Sequence, residues 1–264
     1  MSQNSSDTIT ETPVRQLRWQ MLLIMPVWVI VSFYAAQLVV WLLVVILKAL
    51  QVPLGSINEN VLSTILAFLL YGVTLAIVIG VPWLVKKYKV TAKELAIHRL
   101  PTWTDILMAP AGAIVYFLLS VLLVFVATTL LPAINTSQMQ DTGFGNLSQG
   151  YQYVLAFATL VVLAPVAEEV LFRGYLLGKL IKFVPFWIAI LATSLLFAFF
   201  HISSDLAHVD WPLFIDTFAL SIILCLLRLS TGSIWASILL HIIKNGLAFY
   251  VLFVNPILNS TIGG

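Results

Sequence analysis

The sequence predicts an all-α fold: a polytopic transmembrane helical bundle of about seven spans, with a polar cavity between its C-terminal helices. Three observations predict it. Of the 264 residues, 61% are hydrophobic and 9% are charged, and the mean hydropathy is +1.05, far beyond the balance of a water-soluble domain. Apolar runs long enough to cross a hydrocarbon core of about 30 Å recur along the chain, separated by shorter polar segments. The few ionisable residues inside those runs gather in the C-terminal ones. Other classes fall away. The single cysteine, Cys225, cannot form an internal disulfide and there is no metal-ligating cysteine pair. A net charge of +2, with Lys and Arg scattered through loops, does not make a nucleic-acid-binding surface.

Residues 1–18 are polar, carry Arg15 and Arg18, and read as a cytoplasmic tail. The apolar run from about 19 to 47 exceeds a signal-peptide core and reads as an uncleaved, tilted first span. Further runs occupy about 61–85, 105–131, 151–181, 186–202, 212–229 and 232–254. The two around 186–229 are short and flank the polar turn SSDLAHVDWP at 203–212, so one of them suits a re-entrant or interfacial segment as well as a span. The 132–150 connection is rich in Ser, Thr, Gln, Asn and Gly, which predicts mobility. No repeat or second domain is visible. The chain divides into the tail 1–18, spans one to three within 19–150, a core at 151–254 and a C-terminal tail at 255–264.

Charge orients the bundle. The segment 86–104 carries Lys86, Lys87, Lys89, Lys93 and Arg99, the densest positive cluster, whereas 49–60, 132–150 and 203–211 contain no Lys or Arg. Cytoplasmic loops carry the excess of Lys and Arg. The N-terminus is therefore expected inside and, with seven spans, the C-terminus outside a multi-pass cell-membrane protein; Arg15, Arg18, Lys179, Lys182 and Arg228 then share the inner side.

Inside the spans stand Glu168, Glu169 and Arg173 in the fourth, His201 at the end of the fifth, Asp216 early in the sixth, and His241 with Lys244 in the seventh. Each such group costs about 2.5–3.5 kcal/mol at a span centre, which marks it as a functional-site candidate. At roughly 1.5 Å rise per residue from the cytoplasmic ends, Glu168 lies ~20 Å deep, His201 ~22 Å and His241 ~15 Å. Three spans thus bring unusual residues to similar depth.

Helical phase then separates the two glutamates. Glu169 and Arg173 are spaced i, i+4 and can pair on one face, while Glu168 points about 100° away. A guanidinium keeps its partner carboxylate ionised in low dielectric. That leaves Glu168 as the available carboxylate. Pro165 removes an N–H three residues earlier and is expected to open the helix locally. His241 and Asn245 also stand i, i+4 and could hold a water, bind a metal or donate to an oxyanion. Glu168, His201, His241 and Asn245 suit activation of water, and the nitrogen and oxygen donors Glu168, His201 and His241 equally suit a divalent metal such as zinc, although no HExxH pattern is present. Lys244 is expected to snorkel or to pair within the bundle, Asp216 to be interfacial, and His98 and His208 to be loop residues. The many Phe and Trp residues are expected at lipid-facing and interfacial positions.

EExxxR at Glu168, Glu169 and Arg173, FxxxH at Phe197 and His201, and HxxxN at His241 and Asn245 resemble the three motifs of the CPBP intramembrane proteases, which include type II CAAX prenyl endopeptidases and Abi-type proteins. The resemblance covers about 164–250. It implies a membrane protease with a hydrophilic cavity that acts on a membrane-embedded or lipid-modified substrate. It further implies Glu168 as general base assisted by His201, His241 and Asn245 holding the water or oxyanion, and Glu169, Arg173 and Phe197 in support. The family is commonly named as metalloprotease and in part described as glutamate-dependent, so a divalent metal is optional in this expectation. Two other classes share these residues: a non-catalytic immunity or scaffold protein of the same fold, and a proton-coupled transporter, for which paired broken helices would be expected.

Overall fold

The computed structural model describes residues 18–131, 143–145, 147–202 and 210–255. Arg15, His208, residues 1–17 and 256–264, most of the 132–150 connection and most of the 203–212 turn therefore lie outside the described residues. Six helices are long and apolar enough to cross a membrane: α1 (Met21–Ala49), α2 (Glu59–Lys86), α3 (Trp103–Leu130), α4 (Gly150–Leu180), α6 (Trp211–Thr231) and α7 (Trp235–Val254). A shorter apolar helix, α5 (Phe186–Phe199), completes the set. No strand occurs among the described residues. About seven apolar helices are thus present, as the hydropathy predicts.

The caps agree with local chemistry. The Asn58 carboxamide oxygen accepts from Asn60 N–H and Val61 N–H at the start of α2, satisfying donors that a helix N-terminus leaves free. Asp105 reaches back to Thr102 N–H at 2.7 Å at the start of α3, and Asp210 accepts from Leu213 N–H at 3.0 Å at the start of α6. Gly232, at φ +70°, terminates α6 in a left-handed turn that glycine adopts without strain.

Burial is unequal along the chain. In the most apolar windows of α4 and α6, 39% and 44% of residues are buried, against 17%, 11% and 17% in α1, α2 and α3. The C-terminal helices therefore form the interior. α3 packs on α6 and α7, α5 on α6, and α1 on α2, while Leu171, Leu176, Leu177, Leu180, Phe197, Leu220, Leu224 and Leu240 fill the centre.

Two departures from regularity place the site. At 14 residues, α5 rises only about 21 Å, less than the hydrocarbon thickness, so the run expected over 186–202 ends early and His201 follows the helix in a turn. α4 alternates between α- and π-helical turns: π over Ala158–Leu163, α over Ala164–Glu169, π over Val170–Leu177. Extra residues in π turns rotate the helix and are frequent at functional sites. Pro165 itself stands in the α-helical stretch, directly after the first π segment.

The segment between α2 and α3 docks onto the C-terminal end of α4. Glu94 accepts from Lys182 Nζ at 2.7 Å and Lys179 Nζ at 3.3 Å, and Tyr88 O–H also bonds it. Burial raises the Glu94 carboxyl, and these hydrogen bonds with the Thr91 N–H outweigh it, bringing it down to about 2. Ala96 O accepts from Ile234 N–H at 3.2 Å, Trp235 Nε1 donates to Arg99 O at 2.6 Å, and Arg18 N–H donates to Phe183 O at 3.0 Å. Arg18, Arg99, Lys179 and Lys182 thus gather at one end of the bundle. His98 is exposed in this segment.

Backbone contact requires glycine here. A Cβ on Gly174 would stand 2.9 Å from Leu95 O, closer than packing allows. Gly174→Ala should therefore destabilise the protein by about 1–3 kcal/mol, read as a lower melting temperature in detergent. Glu94→Gln should cost on the order of 1 kcal/mol. Because the folded carboxyl lies at about 2, below its unfolded range near 4.3, this contribution is complete above about pH 5 and is lost as pH falls toward about 2. Melting temperatures of the two proteins across that range should converge in acid.

Candidate active site

The two glutamates of α4 face different neighbours. Glu169 and Arg173 are fully buried and paired, with Glu169 Oε1 2.8 Å from Arg173 Nη1. The guanidinium is also fixed from α6, where Arg173 Nη2 donates to Ser221 Oγ at 2.8 Å, and from α5, where its Cζ lies 4.4 Å from the Phe197 ring centroid. A guanidinium over an aromatic face gains electrostatic attraction that grows when water is excluded. Phe197 also meets the rings of His201 and His241, at centroid distances of 4.5 and 5.8 Å. One phenyl ring thereby spaces the cation from both imidazoles.

His241, from α7, bridges the glutamates. Its Nδ1 lies 3.0 Å from Glu169 Oε1 and its Nε2 lies 3.8 Å from Glu168 Oε2. A carboxylate already paired with arginine accepts, so Nδ1 carries the hydrogen. His201 has the same polarity: its Nδ1 lies 2.8 Å from Phe197 O, a carbonyl that can only accept, and its Nε2 lies 3.9 Å from Glu168 Oε2. With Nδ1 engaged in this way, both rings turn Nε2 toward Glu168. Glu168 Oε2 and the two Nε2 atoms converge on one point, and a water there would find polar partners on three sides.

Glu168 is held from the other side by a residue that the sequence did not mark. Tyr71 O–H, from α2, donates to Glu168 Oε1 at 2.6 Å, which leaves Oε2 for the imidazoles. The tyrosine lies 97 positions away in the chain in a helix without a motif; only its polar hydroxyl among apolar neighbours could have drawn notice. Ser221 was missed for the same reason. Asn245 is on the expected face of α7, but its Nδ2 donates to Leu160 O at 2.9 Å and so reaches the π turn of α4.

Asp216, near the start of α6, has partners on two other helices. Tyr116 O–H and Ser120 O–H from α3 each donate to its Oδ1 at 2.6 Å, and Lys244 Nζ lies 3.7 Å from Oδ2. Hydrogen bonds to a neighbouring helix make a carboxylate tolerable inside a bundle. Lys244 accordingly pairs within the bundle.

The donors Glu168, His201 and His241 have zinc-like chemistry, but their spacing does not match. Neighbouring ligands on a tetrahedral zinc stand roughly 3.4 Å apart, while the carboxylate-to-imidazole separations are 3.8 and 3.9 Å. Among the described residues no group of three His, Cys, Asp or Glu stands close enough to hold a metal ion.

The fold and this cluster define a multi-pass helical membrane protein with a buried ion pair, a carboxylate facing two imidazoles, and helices from both halves around them. Comparison with known families then places the cluster. Residues 150–247 match the family model described as Rce1-like, type II CAAX prenyl endopeptidase, in agreement with the resemblance carried by the three motifs. The match runs from α4 to most of α7 and supports a CAAX-protease-type membrane endopeptidase. Neither the curated proteins nor the solved structures gave a match.

Removing one partner of a buried pair strands the other charge. Arg173→Leu should lower stability by about 3–5 kcal/mol, seen as reduced yield of folded protein and a lower melting temperature in detergent.

Proposed function

We propose that the protein is an intramembrane endopeptidase that hydrolyses a peptide bond of a membrane-associated or lipid-modified substrate, using a water activated by Glu168. The observation that carries this reading is the convergence of Glu168 Oε2 with the Nε2 atoms of His201 and His241, at 3.9 and 3.8 Å, within the segment matched by a protease family.

In this scheme a water lies between the carboxylate and the two imidazoles. Glu168 takes one of its protons while the water oxygen bonds to the scissile carbonyl carbon. His201 and His241, the latter held through Nδ1 by Glu169, flank the attacking water and share the hydrogen bond from its remaining proton, which aligns it. Collapse of the tetrahedral intermediate breaks the C–N bond, and the proton held by Glu168 passes to the leaving nitrogen. The carboxylate is thereby regenerated. A positioned general base of this kind contributes typically 10²–10⁴-fold. Glu169, Arg173 and Phe197 support the site by fixing the tautomer and place of His241. The donor spacing supports the metal-independent form of the reaction. The core at 151–254 is the catalytic unit in this reading, and the lysine-rich end of the bundle faces the cytoplasm.

Glu168→Gln should leave a folded protein and remove cleavage by at least about 100-fold. Mass spectrometry of membrane peptides from cells carrying wild-type or Glu168→Gln protein checks this directly. Substrate fragments should be present only with the wild type, and identical peptide profiles would contradict the reading. Chelation should leave wild-type cleavage unchanged; its loss and recovery with added zinc would assign a metal instead.

A further inference from the structure

The helix that carries Glu168 has a gap in its own hydrogen bonding. Over Ala158–Leu163 the turns of α4 are π-helical, and Ala164 N–H closes this run by donating to Thr159 O. The next bond in that register would run from residue 165 to Leu160 O. Residue 165 is proline and has no N–H to give. In the apolar part of a bundle a carbonyl without a donor is costly. The missing donor is supplied from another helix: Asn245 Nδ2 stands 2.9 Å from Leu160 O. α7 lies close along this stretch, since a Cβ on the adjacent Gly246 would meet Val161 Cγ1 at 3.7 Å.

We infer that Asn245 is a positioning residue whose carboxamide replaces the backbone N–H that Pro165 lacks, fixing the π-to-α junction of α4 and through it the direction of Glu168. The inference rests on the proposed protease reading for its effect on activity, though not for its structural content. Glu168 lies three residues beyond Pro165, within one turn of the junction. If the junction relaxed, residues after it would rotate relative to α7. Asn245 also stands one turn beyond His241, so a single bond between α4 and α7 sets the spacing of the carboxylate and the imidazole.

Restoring the backbone donor tests this. Pro165→Ala supplies an N–H, and in either register Leu160 O then gains a backbone partner, from residue 165 in a π turn or from Ala164 in an α turn. Asn245→Ala is made in the wild-type and Pro165→Ala backgrounds, and each full-length protein is purified in detergent. In the wild-type background, Asn245→Ala should lower the melting temperature by at least about 4 °C and reduce cleavage of the Glu168-dependent peptide at least about tenfold. In the Pro165→Ala background the same change should cost less than about 1 °C, and cleavage should differ less than about threefold between the proteins with and without Asn245. Equal loss of cleavage in both backgrounds with no thermal effect would make Asn245 an oxyanion donor and overturn the inference. Equal thermal cost in both would also overturn it. Pro165→Ser supplies the same N–H in case the alanine variant does not fold. Failure of both to fold with Asn245 present would contradict the inference, because a carbonyl accommodates two donors. If no Glu168-dependent peptide exists, the protease reading fails while the thermal comparison still decides the role of Asn245.

Discussion

Everything in the site hangs from the contact between Glu169 and Arg173. A charge pair taken out of water recovers its desolvation cost only when its geometry is good and its remaining valences are filled. Here part of the filling comes from three other helices, Ser221 from α6 on the guanidinium, Phe197 from α5 over it and His241 from α7 on the carboxylate, while Glu169 Oε2 and Arg173 Nε are buried without a hydrogen-bond partner among the described residues. The pair therefore reads as the node at which α4, α5, α6 and α7 are registered against one another. Because it also holds Nδ1 of His241, it decides which ring nitrogen faces Glu168. Support and chemistry are separated by about 100° of helix rotation between adjacent residues.

The irregularity of α4 follows from the same demand. A regular helix buries its polar groups by bonding them to itself, and it offers no opening for a water or a peptide. Two π segments on either side of Ala164–Glu169 alter the phase of the glutamates relative to the apolar face, and Pro165 removes a donor where another helix can replace it. α5 contributes by ending early, which leaves His201 beyond the last helical turn and beside the other two groups.

Much of this was legible in the residues. Hydropathy located the apolar helices to within a few residues because crossing a bilayer imposes a length, and the i, i+4 spacing of Glu169 and Arg173 foretold their pairing because helix geometry is local. What was hidden depended on contacts between distant parts of the chain. Tyr71 belongs to an unremarkable helix and acquires meaning only because α2 lies against α4. Asp216 looked interfacial from its position in the run, and only the Tyr116 and Ser120 hydroxyls of α3 show how it is accommodated. The reach of Asn245 to Leu160 could not be read from its spacing to His241, since the partner is a backbone atom whose vacancy arises from a proline 80 positions earlier. Local periodicity thus reports which face a side chain takes, while partners across helices require the packing itself.

The central claim is that two adjacent glutamates do different work, one holding the bundle and one facing the substrate. Melting temperatures of Glu168→Gln and Glu169→Gln, measured side by side in the same detergent, test it most directly. The account predicts that Glu169→Gln, which strands Arg173 among buried residues, melts at least about 5 °C lower while Glu168→Gln melts within about 2 °C of the wild type. A large loss for Glu168→Gln with little change for Glu169→Gln would contradict it and exchange the two roles.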